Sequence, residues 1–98
     1  MQAVRVLRFS GPRARAELVF AVAAGAGIHA QEIAGRGERE DCWVELAIPV
    51  SRSAGVDDEQ VARSMERTVE RLDAGFRLRE YLTEIRAEAG EAAAGGPA

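Results

Sequence analysis

Lysine and asparagine are missing from this chain altogether, and cysteine, histidine and tryptophan occur once each, as Cys42, His29 and Trp43. All thirteen basic residues are therefore arginines, a bias of composition rather than a functional choice. A lone cysteine excludes an internal disulfide and a thiolate metal cluster. A lone histidine with no second imidazole or cysteine nearby lacks the partners for a metal site. As a general base, His29 would need a carboxylate placed by the fold, such as Glu32 or Asp41. No n-region and apolar h-region open the chain, and its longest apolar run, Leu18 to Ala24, falls far short of the ~20 residues that span a bilayer. The expectation is a soluble cytoplasmic domain without a membrane partner, metal or cofactor.

Aromatic residues are also scarce, with three Phe, one Trp and one Tyr, so the core must be built from Val, Leu, Ile and Ala. The 98 residues make one small domain of ordinary globular composition, 47% hydrophobic and 30% charged. A domain of this size buries only ~60–65% of its unfolded surface, which makes association with a second copy a natural source of stability. Sixteen acidic residues against thirteen basic ones give a net charge of −3. Phosphate binding needs a concentrated positive surface, so nucleic acid is not the expected partner.

The clearest pattern lies in Cys42-Trp-Val-Glu-Leu-Ala-Ile-Pro-Val50. Cys42, Val44, Leu46, Ile48 and Val50 share one parity and Trp43, Glu45, Ala47 and Pro49 the other, as in a strand with one face on a core. Residues 3–9 predict another strand, with Val4 and Val6 on one face and Leu7 and Phe9 on the other. Apolar residues on both faces suggest a central strand. Ser10-Gly11-Pro12 starts a helix that runs to about Ala24 and stops at Gly25-Ala-Gly27. Its expected buried stripe is Ala14, Leu18, Ala21 and Val22, leaving Phe20 opposite as a free aromatic or a contact with another chain. Residues 28–34 predict an edge strand joined to 42–50 by a charged, glycine-bearing hairpin loop. Asp57 with Gln60 three residues on opens a second helix, with Val61, Met65, Val69 and Leu72 inward and a Glu59–Arg63 pair outward. Gly75 closes it. Residues 76–82 predict the last strand, with Phe76, Leu78 and Leu82 on one parity, and helix as the competing reading. Residues 1–84 would form the domain and residues 85–98 a disordered Ala/Gly-rich tail.

The resulting order, β-α-β-β-α-β, is the ferredoxin-like α+β arrangement, a four-stranded antiparallel sheet with two helices on one face and the first and third strands central. Several chemistries carried by that topology lack their residues here. The first loop has no paired cysteines for a metal. Only Phe9 and Trp43 are available to stack RNA bases. The acylphosphatase type needs an Asn carboxamide, and the chain has none. Gly35-Arg-Gly37 lies in a hairpin loop and does not cradle phosphate at a strand-to-helix turn.

The order of elements over residues 3–82, with Ala-Gly-Ala-Gly27 leading into Ile28-His-Ala-Gln-Glu-Ile33, resembles ACT domains, small regulatory modules that bind amino acids or other effectors. The resemblance implies an effector site between the first loop and the start of the second strand, at Ser10, Gly11, Arg13, Gly27, Ile28 and His29. Where that family carries Pro-Gly-Leu in its first loop, this chain has Gly11-Pro12-Arg13-Ala14.

Independently of the resemblance, Trp43 and Ala47 occupy the parity facing away from the helices, and Leu7 and Phe9 are expected to extend their patch. Such a face calls for a homo-oligomer or a larger protein partner, unless long arginines such as Arg5 shield it. Cys42, at the head of a buried strand, is expected to be an inert small hydrophobe. The expected function is a small regulatory or effector-binding module acting by self-association or by docking on a larger enzyme or transporter. The alternative is a dimeric α+β barrel enzyme, monooxygenase- or cyclase-like, with Trp43 and His29 lining a pocket between sheet and helices.

Overall fold

The computed structural model describes residues 1–87. Its elements run β1 (Gln2–Pro12), a 3-10 turn (Arg13–Arg15), α1 (Ala16–Gly25), β2 (His29–Ile33), β3 (Asp41–Pro49), a 3-10 turn (Val50–Ser53), α2 (Asp58–Glu70) and β4 (Arg77–Arg86). The four strands form one antiparallel sheet in the order β2-β3-β1-β4, which puts the two most apolar strands in the middle. The β2–β3 hairpin is present as expected. Strand β4 is longer than expected, so residues 85 and 86 belong to the sheet. The remainder of the supposed tail, 88–98, lies outside the described residues. No helix among the described residues is long and apolar enough to cross a membrane.

The core forms on one side of the sheet. Leu7 pairs with Leu46, Phe9 with Val44 and Gly11 with Cys42, so their side chains share a face. That face meets Ala16, Val19 and Ala23 of α1 and Val61, Ala62 and Val69 of α2 in one buried cluster. Leu7 and Phe9 are 1% and 0% exposed there, which corrects their expected place in a surface patch. Their neighbours Val4 and Val6 are equally buried on the opposite face, and apolar alternation cannot choose between two buried faces.

Helix α1 turns about its axis relative to expectation. Ala16, Val19, Phe20 and Ala23 face the core, while Ala14 and Ala21 are exposed and Leu18 is 38% exposed. Phe20 packs inward and does not project toward another chain. A helix reading Ala-Glu-Leu-Val-Phe-Ala-Val-Ala-Ala-Gly is apolar nearly all round, so periodicity alone does not orient it. The polar α2 behaves as expected: Asp57 Oδ1 accepts from the Gln60 N–H at 2.8 Å, and Val61, Met65, Val69 and Leu72 face inward.

A β-bulge divides β4. Arg8 pairs with Glu80 and Phe9 with Leu78, leaving Arg79 as the extra residue. Leu78 therefore packs on the core, whereas Leu82, two pleats further on, lies opposite Val6 on the open face.

Candidate functional site

The Gly27–Ile28–His29 junction is built by the end of α1. The Ile28 N–H reaches the Ala23 carbonyl at 2.8 Å and the Gly27 N–H the Ala24 carbonyl at 3.0 Å, the paired bonds of a Schellman stop. Gly27 has φ +70°, where a side chain would be strained. Arg52 completes the stop, donating from Nη1 to the Gly27 carbonyl at 2.8 Å and from Nη2 to the Ala26 carbonyl at 2.9 Å. A cation at the negative end of a helix dipole is the favourable arrangement.

Entering β2 from this stop, successive side chains take opposite faces. His29 pairs with Ala47 on the open face of the sheet, and Ile28 turns toward the core. Two cavities lie on either side of the junction. The open-face cavity, about 310 Å³, has a floor of Val4, Ala47 and Pro49, with Gln2, His29 and Gln31 around it and Gly27, Arg52, Arg86 and Ala87 closing its ends. The second, about 290 Å³, lies on the helix side, lined by Ile28, Ile48, Val61 and Met65 with Arg52, Ser53 and Gln60 among its polar groups. Arg52 borders both. Larger grooves of about 460 and 550 Å³ follow α2, but charged side chains such as Glu66, Glu70 and Asp73, or Asp57, Glu59, Arg63 and Arg67, form much of their walls.

The open face beyond the first cavity is closed by charge. Arg8 Nε donates to Glu45 Oε2 at 3.0 Å and Arg8 Nη1 to Glu80 Oε1 at 3.3 Å, while Arg36 Nη1 reaches the same Glu80 oxygen at 2.9 Å. Arg86 Nη1 lies 2.8 Å from Glu45 Oε1, and its Nε is bonded to Glu84. The Arg86 contact to Oε1 is close but poorly aligned for a hydrogen bond, so that oxygen is held by charge alone. Burial pushes the Glu45 carboxyl upward, but Arg86 and Arg8 together outweigh burial and leave its pKa below the ordinary value. Arg36 also stacks on Trp43, its guanidinium carbon 3.8 Å from the ring centroid. The arginines shielding this face are thus Arg8, Arg36 and Arg86.

Arg5 lies on the other face, 6% exposed. Its Nε donates to Asp58 Oδ1 at 2.7 Å, and its Nη groups donate to the Ser53 hydroxyl and the Val56 carbonyl. Thr83 Oγ1 donates to Asp58 Oδ2 at 2.9 Å, so this cluster ties β1 and β4 to the start of α2.

Within one chain, the six residues expected at an effector site fall into separate groups. Gly27 and His29 line the open-face cavity and Ile28 the helix-side one. Ser10 and Gly11 pair with Trp43 and Cys42, four to five residues along β3 from the Ala47 that faces His29. At ~3.3 Å per residue that is roughly 13–17 Å away. Gly11 serves packing there, since a Cβ would sit 2.7 Å from Phe76 Cγ. Arg13 is engaged with Glu32 at 2.6 Å and the Asp41 carbonyl at 3.1 Å. Of the expected association patch, Ala47 is cavity floor and Trp43 lies under Arg36. Trp43 and His29 do not line the cavity between sheet and helices, where the enzyme alternative put them.

Cys42 is fully buried opposite Gly11, and its thiol pKa is raised, first by burial and then by Glu32. That is the setting of an inert thiol. No group of three or more His, Cys, Asp and Glu side chains suited to a metal ion occurs among the described residues. Sequence reasoning missed Gln2, Gln31, Arg52 and Arg86 as cavity residues, because polar residues from four segments carry no shared local pattern. No protein-family model, curated protein or solved structure matches this chain.

Proposed function

We propose that this chain is a small effector-binding module of ferredoxin-like topology, its ligand held in the open-face cavity beside His29. The strand order with β1 and β3 in the centre supports the topology. The observation carrying the function is the cavity itself, an apolar floor of Val4, Ala47 and Pro49 faced by His29, Gln2 and Gln31. None of those three polar side chains has a partner among the described residues. Apolar floor with a few convergent polar groups is the general form of a small-molecule site, and about 310 Å³ is at the small end of the range. The cavity opens on the uncovered side of the sheet, where a second copy or a larger protein would close it, and binding would be read out through that contact.

The test is a thermal-unfolding panel of amino acids, organic acids, amides, polyamines and nucleotides on the full chain, with molar mass measured alongside. A specific ligand at a hundred times its dissociation constant adds ~2.7 kcal/mol of stability. No stabilisation by any member would remove the effector-binding reading.

A further inference from the structure

Resting on that reading, we infer that the ligand is a small aliphatic carboxylate without an ammonium group. The chain as a whole is acidic, with a net charge of −3, yet none of the described residues lining this cavity is a carboxylate. The charged side chains among those lining residues are Arg52 and Arg86. Arg86 is shared between Glu45 and Glu84 through Nη1 and Nε, with no described residue paired to its Nη2. Arg52 differs: its guanidinium bonds only to the neutral carbonyls of Ala26 and Gly27, and no carboxylate among the described residues pairs with it. A cation so placed has its charge balanced only by the partial charge of a helix end, and its Nε remains available to an anion.

The remaining walls fix the rest of the ligand. Gln2, Gln31 and His29 offer N–H donors to carboxylate oxygens, and Val4, Ala47 and Pro49 present a floor for a short hydrocarbon body. The size of the cavity suits a body of a few carbons. An α-ammonium group would enter beside two arginines with no carboxylate among the described lining residues to receive it, so an amino acid is disfavoured against the corresponding plain acid.

Three probes of one shape separate these cases: 4-methylpentanoate, its neutral amide 4-methylpentanamide, and leucine. Each is titrated into the full ¹⁵N-labelled chain while backbone amide shifts are followed. The expected result is movement centred on Val4, His29 and Ala47 with 4-methylpentanoate, at an affinity about tenfold or more above the other two, as an ionic hydrogen bond provides. Arg52→Gln should weaken the acid by about tenfold and the amide by clearly less, since only the acid loses an ionic hydrogen bond. Because Arg52 also caps α1, Ala47→Phe serves as a second variant that fills the floor and should abolish binding with the spectrum otherwise intact. Equal or tighter binding of the amide or leucine would overturn the carboxylate assignment and leave the cavity as a binding site. Shifts centred elsewhere, or silence from all three probes while another panel compound binds at the cavity, would overturn it in the same way. Silence across the whole panel would remove the binding reading as well.

Discussion

Arg86 and Glu45 meet at 2.8 Å across the open face although β1 lies between their strands. Arg86 pairs with Gln2 and Glu45 with Arg8, six residues apart along β1, or roughly 20 Å at ~3.3 Å per residue. A flat sheet would keep the two side chains out of reach. The contact therefore records a strongly twisted sheet whose diagonal corners approach each other over the open face.

Removing Glu45 should be costly. Its side chain is only 6% exposed and neutralises parts of Arg8 and Arg86, which are 20% and 29% exposed. Breaking a fully buried pair costs ~3–5 kcal/mol, and partial exposure of the arginines reduces this to about 2 kcal/mol for Glu45→Ala. Urea unfolding of Glu45→Ala, Arg86→Ala and the double variant checks it; additive losses would show that the pair is not coupled.

Acid should weaken the fold through the same carboxylate. The folded pKa of Glu45 lies below its ordinary value of 4.5, so the unfolded chain binds the proton more tightly. The stabilisation is fully present above that ordinary value and is lost as pH falls through the lower folded pKa. Glu80, held down by Arg36 and Arg8, and Asp58, held down by Arg5 and Thr83, act in the same direction. Thermal midpoints measured from pH 6 down to about pH 2 should fall less steeply for Glu45→Gln than for the parent chain. Parallel curves would assign the acid sensitivity to other groups.

Two glycines should respond oppositely to alanine. At Gly11 the added methyl would sit 2.7 Å from Phe76 Cγ and 2.8 Å from the Gly75 carbonyl, and overpacking of this kind costs about 1–3 kcal/mol. At Gly25, the last residue of α1, nothing lies within 4 Å, and alanine should stabilise by about 0.5–1 kcal/mol. Denaturation midpoints of Gly11→Ala and Gly25→Ala decide the matter; a neutral Gly11→Ala would mean that β1 and Phe76 can separate at little cost.

What could be read from residue order alone was whatever local chemistry controls. The Asp57 cap, the glycine stop at Gly27, the hairpin between β2 and β3 and the inward stripe of α2 each depend on residues within a few positions of one another. The strand Asp41–Pro49 kept both its faces as read, with Val44, Leu46 and Ile48 on the core and Trp43 and Ala47 away from it. Tertiary packing decided the rest. Leu7 and Phe9 won the helix side from Val4 and Val6 because pairing with Leu46 and Val44 set the register. The extra residue Arg79 sent Leu78 and Leu82 to opposite faces despite their shared parity. The candidate site belongs mostly to this second kind, with Gly27, His29 and Ala47 the lining residues that the sequence singles out. Gln2, His29, Ala47, Arg52 and Arg86 come from segments far apart in the chain, and strand pairing (His29 with Ala47, Gln2 with Arg86) together with the Arg52 bonds to the α1 stop makes them neighbours.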